Sequence, residues 1–182
     1  MGAIRVLDHD PSWPMHFETL KARLLRALEP LVADIHHIGS TSVPGLAAKP
    51  KIDIDAVLHR DTWIPEAIER IKAEGGYAFH GDPYGDGRWI FTRGHGSYGE
   101  RLYLCGPGNA THMERLLFRD WMRAHPADAA AYGALKRRLA SQAGGDWTFY
   151  TGGKADFVAS IVRKAAARQG SQQSLAAMHD CD

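Results

Sequence analysis

Residues 51–58 read KIDIDAVL. Ile52, Ile54, Ala56 and Leu58 alternate with Asp53, Asp55 and Val57, the period-two pattern of a strand with one apolar face. Side chains two positions apart in a strand share a face and lie about 6.6–7 Å apart along the chain. The fold must therefore aim two carboxylates at one spot while burying the residues behind them. Two such carboxylates repel each other unless something positive stands nearby.

The residues just upstream suggest what that is. A short strand over Asp34–Ile38 runs into a turn-rich segment, Gly39-Ser40-Thr41-Ser42-Val43-Pro44-Gly45. Gly39 lets the backbone approach a phosphate closely, and Ser40 and Thr41 add hydrogen-bond donors. Lys49 supplies a charge that neutralises phosphate. A hard cation, Mg²⁺ or Mn²⁺, held by Asp53 and Asp55 together with substrate phosphates is the matching chemistry. A D-x-D pair alone is just as well the wet side of a sheet, and Gly-Ser alone is an ordinary turn; the two at this spacing are more specific. The loop is not a P-loop, because Gly45 is followed by Leu46 rather than Lys-Ser/Thr.

The rest of the chain organises around this segment. Trp13, Phe17, Leu20, Leu24, Leu25 and Leu28 recur at helical spacing over 12–29, with Ser12 expected to cap and Pro30 to stop the helix. Trp63–Glu74 reads as a second helix ended by Gly75-Gly76. Residues 77–105 hold two or three strands, with Gly81–Gly87 and Gly94–Gly99 as loops. His112–His125 and Ala127–Ala143 read as helices broken at Pro126, and Ala155–Arg168 as a further one. Residues 169–182 read as a disordered tail, leaving a single domain over 1–168. The class is α+β: a mixed sheet flanked by helices, with a helical C-terminal part.

Composition sets limits. With 182 residues, 45% hydrophobic and 24% charged, the chain has the make-up of a soluble globular domain. The net charge of +1 gives no whole-molecule field toward nucleic acid or an anionic membrane. No apolar run reaches the roughly 18 residues that span a bilayer, and the first residues lack a secretory pattern. Cys105 and Cys181 read as free thiols in a reducing, cytoplasmic setting. Ten histidines are many, but no HExxH or zinc spacing organises them.

The stretch HIGSTSVPGLAAKPKIDIDAV at 37–57 resembles the signature of the GrpB family (UPF0157 type), within the nucleotidyltransferase superfamily. The same pattern occurs at the C-terminus of some bacterial dephospho-CoA kinases. The resemblance continues in Asp10-Pro11-x-Trp13, Phe118-Arg119-Asp120, Arg123-Ala124-His125-Pro126, Tyr132, Leu135-Lys136, Tyr150 and Lys154-x-x-Phe157, across about 4–166. It implies a Gly-Ser phosphate loop, an Asp-x-Asp metal pair and transfer of a nucleotidyl group from a nucleoside triphosphate to an acceptor. It also places Arg119, Lys136 and Lys154 on the late helices near the pocket, where a solvated helix face is the plain alternative.

One departure matters. Superfamily enzymes add a third carboxylate on a neighbouring strand, and the GrpB family tends to show His-x-His there. This chain has Arg101 and Tyr103, with Glu100 one residue out of phase and so on the opposite face. Arg101 is expected to hold an anionic group of the substrate, and Tyr103 to donate or stack. The expected activity is a Mg²⁺-dependent transferase acting on a nucleotide or other anionic small molecule. Two other readings stand beside it: a phosphate-binding module without chemistry, and a pocket recruited to other biosynthetic chemistry.

Overall fold

The computed structural model describes residues 4–94 and 99–179. Helix α1 (Trp13–Leu28) leads to strand β1 (Val32–Ile38), a 3₁₀ turn at Ser40–Ser42 and strand β2 (Lys51–Leu58). Helix α2 (Ile64–Ala73) follows, then β3 (Ala78–Phe79), β4 (Arg88–Arg93) and β5 (Gly99–Cys105). Four helices complete the chain: α3 (Ala110–Ala124), α4 (Pro126–Gln142), α5 (Trp147–Gly152) and α6 (Ala155–His179).

The sheet order is β1-β2-β5-β4-β3, with β2 and β5 parallel and the other neighbours antiparallel. The β2–β5 pairing brings together strands from either side of α2, as a crossover connection requires. The alternation in β2 then sorts its two faces. Ile52, Ile54, Ala56 and Leu58 are buried with Leu102, Leu104 and Phe91 beneath α1 and α2. Helix α1 contributes Trp13, Phe17, Leu20, Leu24 and Leu28, and α2 contributes Ile64, Ala67 and Ile71. The opposite face carries Asp53 and Asp55 and is covered by α3. Behind α3, Val43, Leu46, Met122, Tyr132 and Ile161 form a second apolar cluster that joins the Gly-Ser loop to the late helices.

The structure departs from two local expectations and adds one helix that the sequence reading did not include. Ser12 makes no capping bond through its side chain; instead Asp10 Oδ1 accepts from the Ser12 amide at 2.8 Å. Helix α5 is too short to show a helical period, and is set by Asp146, whose carboxylate accepts from the amides of Thr148 and Phe149. Helix α6 runs beyond Arg168 to His179, where a disordered tail was expected. The Ala, Gln and Leu in that stretch are adequate helix formers, and Gly170 alone costs only about 1 kcal/mol relative to Ala. The Gly94–Gly99 loop and Cys181 fall largely or wholly outside the described residues. No helix among the described residues is long and apolar enough to cross a membrane.

Candidate functional site

Strand register builds the site in two rows. Asp53 lies between Ile38 on β1 and Arg101 on β5; Asp55 lies between His36 and Tyr103. The expectation that Arg101 and Tyr103 share the carboxylate face follows directly from this pairing. Glu100 pairs with Ile52 and points away. Its carboxylate accepts from Arg23 at 2.7 Å and from the Tyr77 hydroxyl at 2.8 Å, on the α1 side of the sheet.

Gly39 is matched to Asp53. Its φ is +70°, and a Cβ built there would stand 2.7 Å from Asp53 Oδ2. Only glycine tolerates both the backbone region and the proximity. Beyond it, Ser40 is half-buried at the start of the 3₁₀ turn. Thr41 faces inward instead of toward a ligand. Its hydroxyl donates to the Lys51 carbonyl (3.2 Å), so His37 Nε2 donates to Thr41 Oγ1 (3.0 Å). His37 stacks on Phe17 with centroids 4.7 Å apart. Burial, helped by Arg123 and Arg119, lowers its pKa to about 4.

Asp55 is fully buried, with both of its oxygens occupied. Arg115 Nη1 donates to Oδ1 at 2.8 Å and His112 Nδ1 to Oδ2 at 2.9 Å. Arg115 also lies 3.7 Å from the centroid of the Tyr103 ring. Both residues come from α3, which Asn109 caps by accepting from the His112 amide. His36 packs against His112 with centroids 4.9 Å apart.

Cations gather around Asp53. Arg101, Arg115, Lys51 and Lys49 all pull its carboxyl pKa down, but burial is the larger effect and leaves it raised. Lys154 also acts on Asp53 electrostatically. Lys49 lies over the rings of Trp147 (4.3 Å) and Tyr150 (5.2 Å), and Lys154 over Tyr150 (4.4 Å). Burial and the neighbouring Lys154 lower Lys49 to about 8. Lys136 is buried over the Tyr132 ring and donates to the Ala47 carbonyl; burial and Lys154 bring it to about 7. Arg119 lies at the margin: it pairs with Asp120 at 2.7 Å and donates to the His37 carbonyl at 3.1 Å. An open cleft of about 540 Å³ adjoins the pocket at Lys154, lined also by Tyr132, Thr151, Val158 and Val162.

The expected Mg²⁺ or Mn²⁺ site at Asp53 and Asp55 does not fit this donor set. A metal needs carboxylate oxygens that it can reach and charge that it can balance, whereas Asp55 is fully buried with the Arg115 guanidinium on one oxygen and the His112 imidazole on the other. Among the described residues, no group of three or more His, Cys, Asp or Glu side chains is placed to hold a metal ion. Four contributors were missed in the sequence: His36, Lys51, His112 and Arg115. The spacing of His112, Arg115 and Arg119 puts them on one face of a helix, but nothing local says that this face meets the aspartates.

The fold is of the nucleotidyltransferase type. The GrpB protein family profile matches residues 3–164, and the chain belongs to that family. A UPF0157 protein of Pseudomonas aeruginosa is 37% identical over 166 residues, covering 90% of this chain and 68% of its own. The UPF0157 protein YqkA of Bacillus subtilis is 33% identical over 162 residues, covering 89% of this chain; the chain spans 47% of that relative's length. A dephospho-CoA kinase of Mycolicibacterium paratuberculosis is 26% identical over 186 residues, matched over 46% of its length. The crystal structure of the conserved protein GrpB from Enterococcus faecalis superimposes with a TM-score of 0.83 at 28% identity, covering 91% of this chain and 99% of that one. The poly(U) polymerase Cid1, bound to Mg and 3'-dATP, shares the fold with a TM-score of 0.51 at 14% identity, covering 81% of this chain and 49% of that one.

Proposed function

We propose that this pocket binds the phosphate chain of a nucleoside triphosphate and transfers its nucleotidyl group to a small acceptor. The observation that carries this reading is the cluster of Lys49, Lys51, Arg101 and Lys154 around Asp53, none with a carboxylate within 4 Å among the described residues. Cations left unpaired in a partly buried pocket favour a polyanion, and the likeness in fold to a polymerase bound to a nucleotide supports a nucleotide as that polyanion. In the reaction an acceptor hydroxyl oxygen bonds to the α-phosphorus as its proton passes to water, the bond from the α-phosphorus to the bridging oxygen breaks, and pyrophosphate leaves. Lys49, Arg101 and Lys154 stabilise the charge that develops on the leaving phosphates. Gly39 and Ser40 offer close approach and a hydroxyl, and the cleft beyond Lys154 offers room for the acceptor. A reducing, cytoplasmic setting suits the buried thiol of Cys105, which burial pushes up to about 12.

A second reading, binding without transfer, draws on one observation: the residue opposite Asp55 on β5 is Tyr103, not an acid, and Glu100 faces the other way. A thermal-shift screen of nucleoside triphosphates, followed by a pyrophosphate-release assay with pooled small hydroxyl and amine acceptors, separates the two. A concentration-dependent rise in Tm supports binding. Pyrophosphate release that depends on an acceptor supports transfer. No shift with any triphosphate rejects both.

A further inference from the structure

We propose that Arg115 occupies the place a divalent cation would hold against Asp55, so that the pocket grips a bare polyphosphate chain through guanidinium and ammonium groups, without metal. This rests on the reading of the pocket as a phosphate-chain site and specifies the form of ligand it takes.

Three observations converge. Asp55 is fully buried and both of its oxygens accept hydrogen bonds from α3, one from Arg115 and one from His112. A carboxylate buried and hydrogen-bonded in this way already has its charge matched, and removing one partner would leave an uncompensated charge. Arg115 is itself fixed by its stack on Tyr103, at the β5 position paired with Asp55. The positive charge that balances the carboxylate is therefore built into the chain. The second observation is Arg101. It stands beside Asp53 in the register; among the described residues its Nη1 donates to the Tyr103 hydroxyl at 3.5 Å and its buried Nε has no hydrogen-bond partner. A buried guanidinium nitrogen without an acceptor is costly unless a ligand supplies one.

The third is charge balance. Five cations (Lys49, Lys51, Arg101, Arg115 and Lys154) act on Asp53, and Asp55 stands two positions along on the same strand face. A metal-chelated triphosphate carries only one or two negative charges into such a pocket. A bare one carries three or four, closer to the surplus of cations. Arginine forks also match phosphate geometry directly.

The test is calorimetry of the full chain with inorganic tripolyphosphate, once in excess EDTA and once with saturating Mg²⁺. The expected result is binding in EDTA at least as tight as with Mg²⁺, weakened at least tenfold in Arg101→Met. Arg115→Met should weaken EDTA binding similarly; if it fails to fold, the Asp55→Asn/Arg115→Gln double variant, which removes the uncompensated charge, replaces it. Binding that requires Mg²⁺ overturns this inference and leaves the nucleotide reading standing. So does EDTA binding that is unchanged in both Arg101→Met and the position-115 variant. No binding under either condition overturns both.

Discussion

Gly39 and Asp53 fit each other at van der Waals range across the β1–β2 connection. A single added methyl at 39 would meet Asp53 Oδ2 at 2.7 Å. Backbone and side chain are thus set together at the point where the Gly-Ser loop meets the carboxylate strand. Gly39→Ala should cost about 1–3 kcal/mol from its backbone region, with the contact adding to it. Thermal unfolding should show Tm falling by roughly 4–10 °C. In the Gly39→Ala/Asp53→Ala double variant the contact part should return as a positive coupling. Simple additivity of the two changes would refute the match.

Asp55 should prove a stability residue. Asp55→Asn leaves Arg115 and His112 without their anion, and breaking a buried pair costs about 3–5 kcal/mol. Urea denaturation would measure it. A loss below about 1 kcal/mol would mean that the Asp55–Arg115 pair contributes little.

His37 predicts a dependence on acid. Its folded pKa near 4 lies below the ordinary 6.5. The unfolded chain therefore takes up the proton first as pH falls. The stabilisation is fully present above about pH 6.5 and is lost progressively down to about pH 4, by up to about 3 kcal/mol. Denaturation series at pH 7 and pH 5 on wild type and His37→Gln should show a smaller acid loss in the variant. Parallel losses would assign the acid sensitivity elsewhere.

Lys49 predicts an opposite limit in alkali. Its ammonium is present below about pH 8 and is lost above it. Affinity for tripolyphosphate should fall between pH 7 and pH 9 by roughly tenfold, the worth of one charged hydrogen bond of about 1.5 kcal/mol. Lys49→Arg keeps its charge throughout, so its profile, compared over the same range, should be flatter. Identical profiles would show that Lys49 does not contact the anion.

Glu100 tests the register itself. Glu100→Gln should lower stability by about 1–3 kcal/mol through Arg23 and Tyr77, yet leave tripolyphosphate affinity unchanged. A changed affinity would place Glu100 on the pocket side.

What could be read from the sequence were features with a short period or a steric signature. The β2 alternation, the helix break at Pro126 and the opposite facing of Glu100 each depend on neighbours within a few residues. Arg115 could not be read as the partner of Asp55, because nothing local links α3 to β2. Thr41 was misjudged for a related reason: its hydroxyl is used by His37 and the Lys51 carbonyl, which only the closed β1–β2 connection brings together. The Ser12 cap failed, and α5 went unread, at the level of single hydrogen bonds, where one carboxylate, Asp10 or Asp146, decides the outcome.

The tie between Asp55 and Arg115 joins positions 60 apart, and that between Ala47 and Lys136 positions 89 apart. Contacts so distant along the chain form only after large loops have closed. A growing chain that has emerged only as far as β5 can pair its strands but holds Asp53 and Asp55 without α3 or Lys154. The order of synthesis thus leaves Asp55 without its charge partner in the nascent sheet, and the helices that emerge after β5 supply that partner together with Lys154.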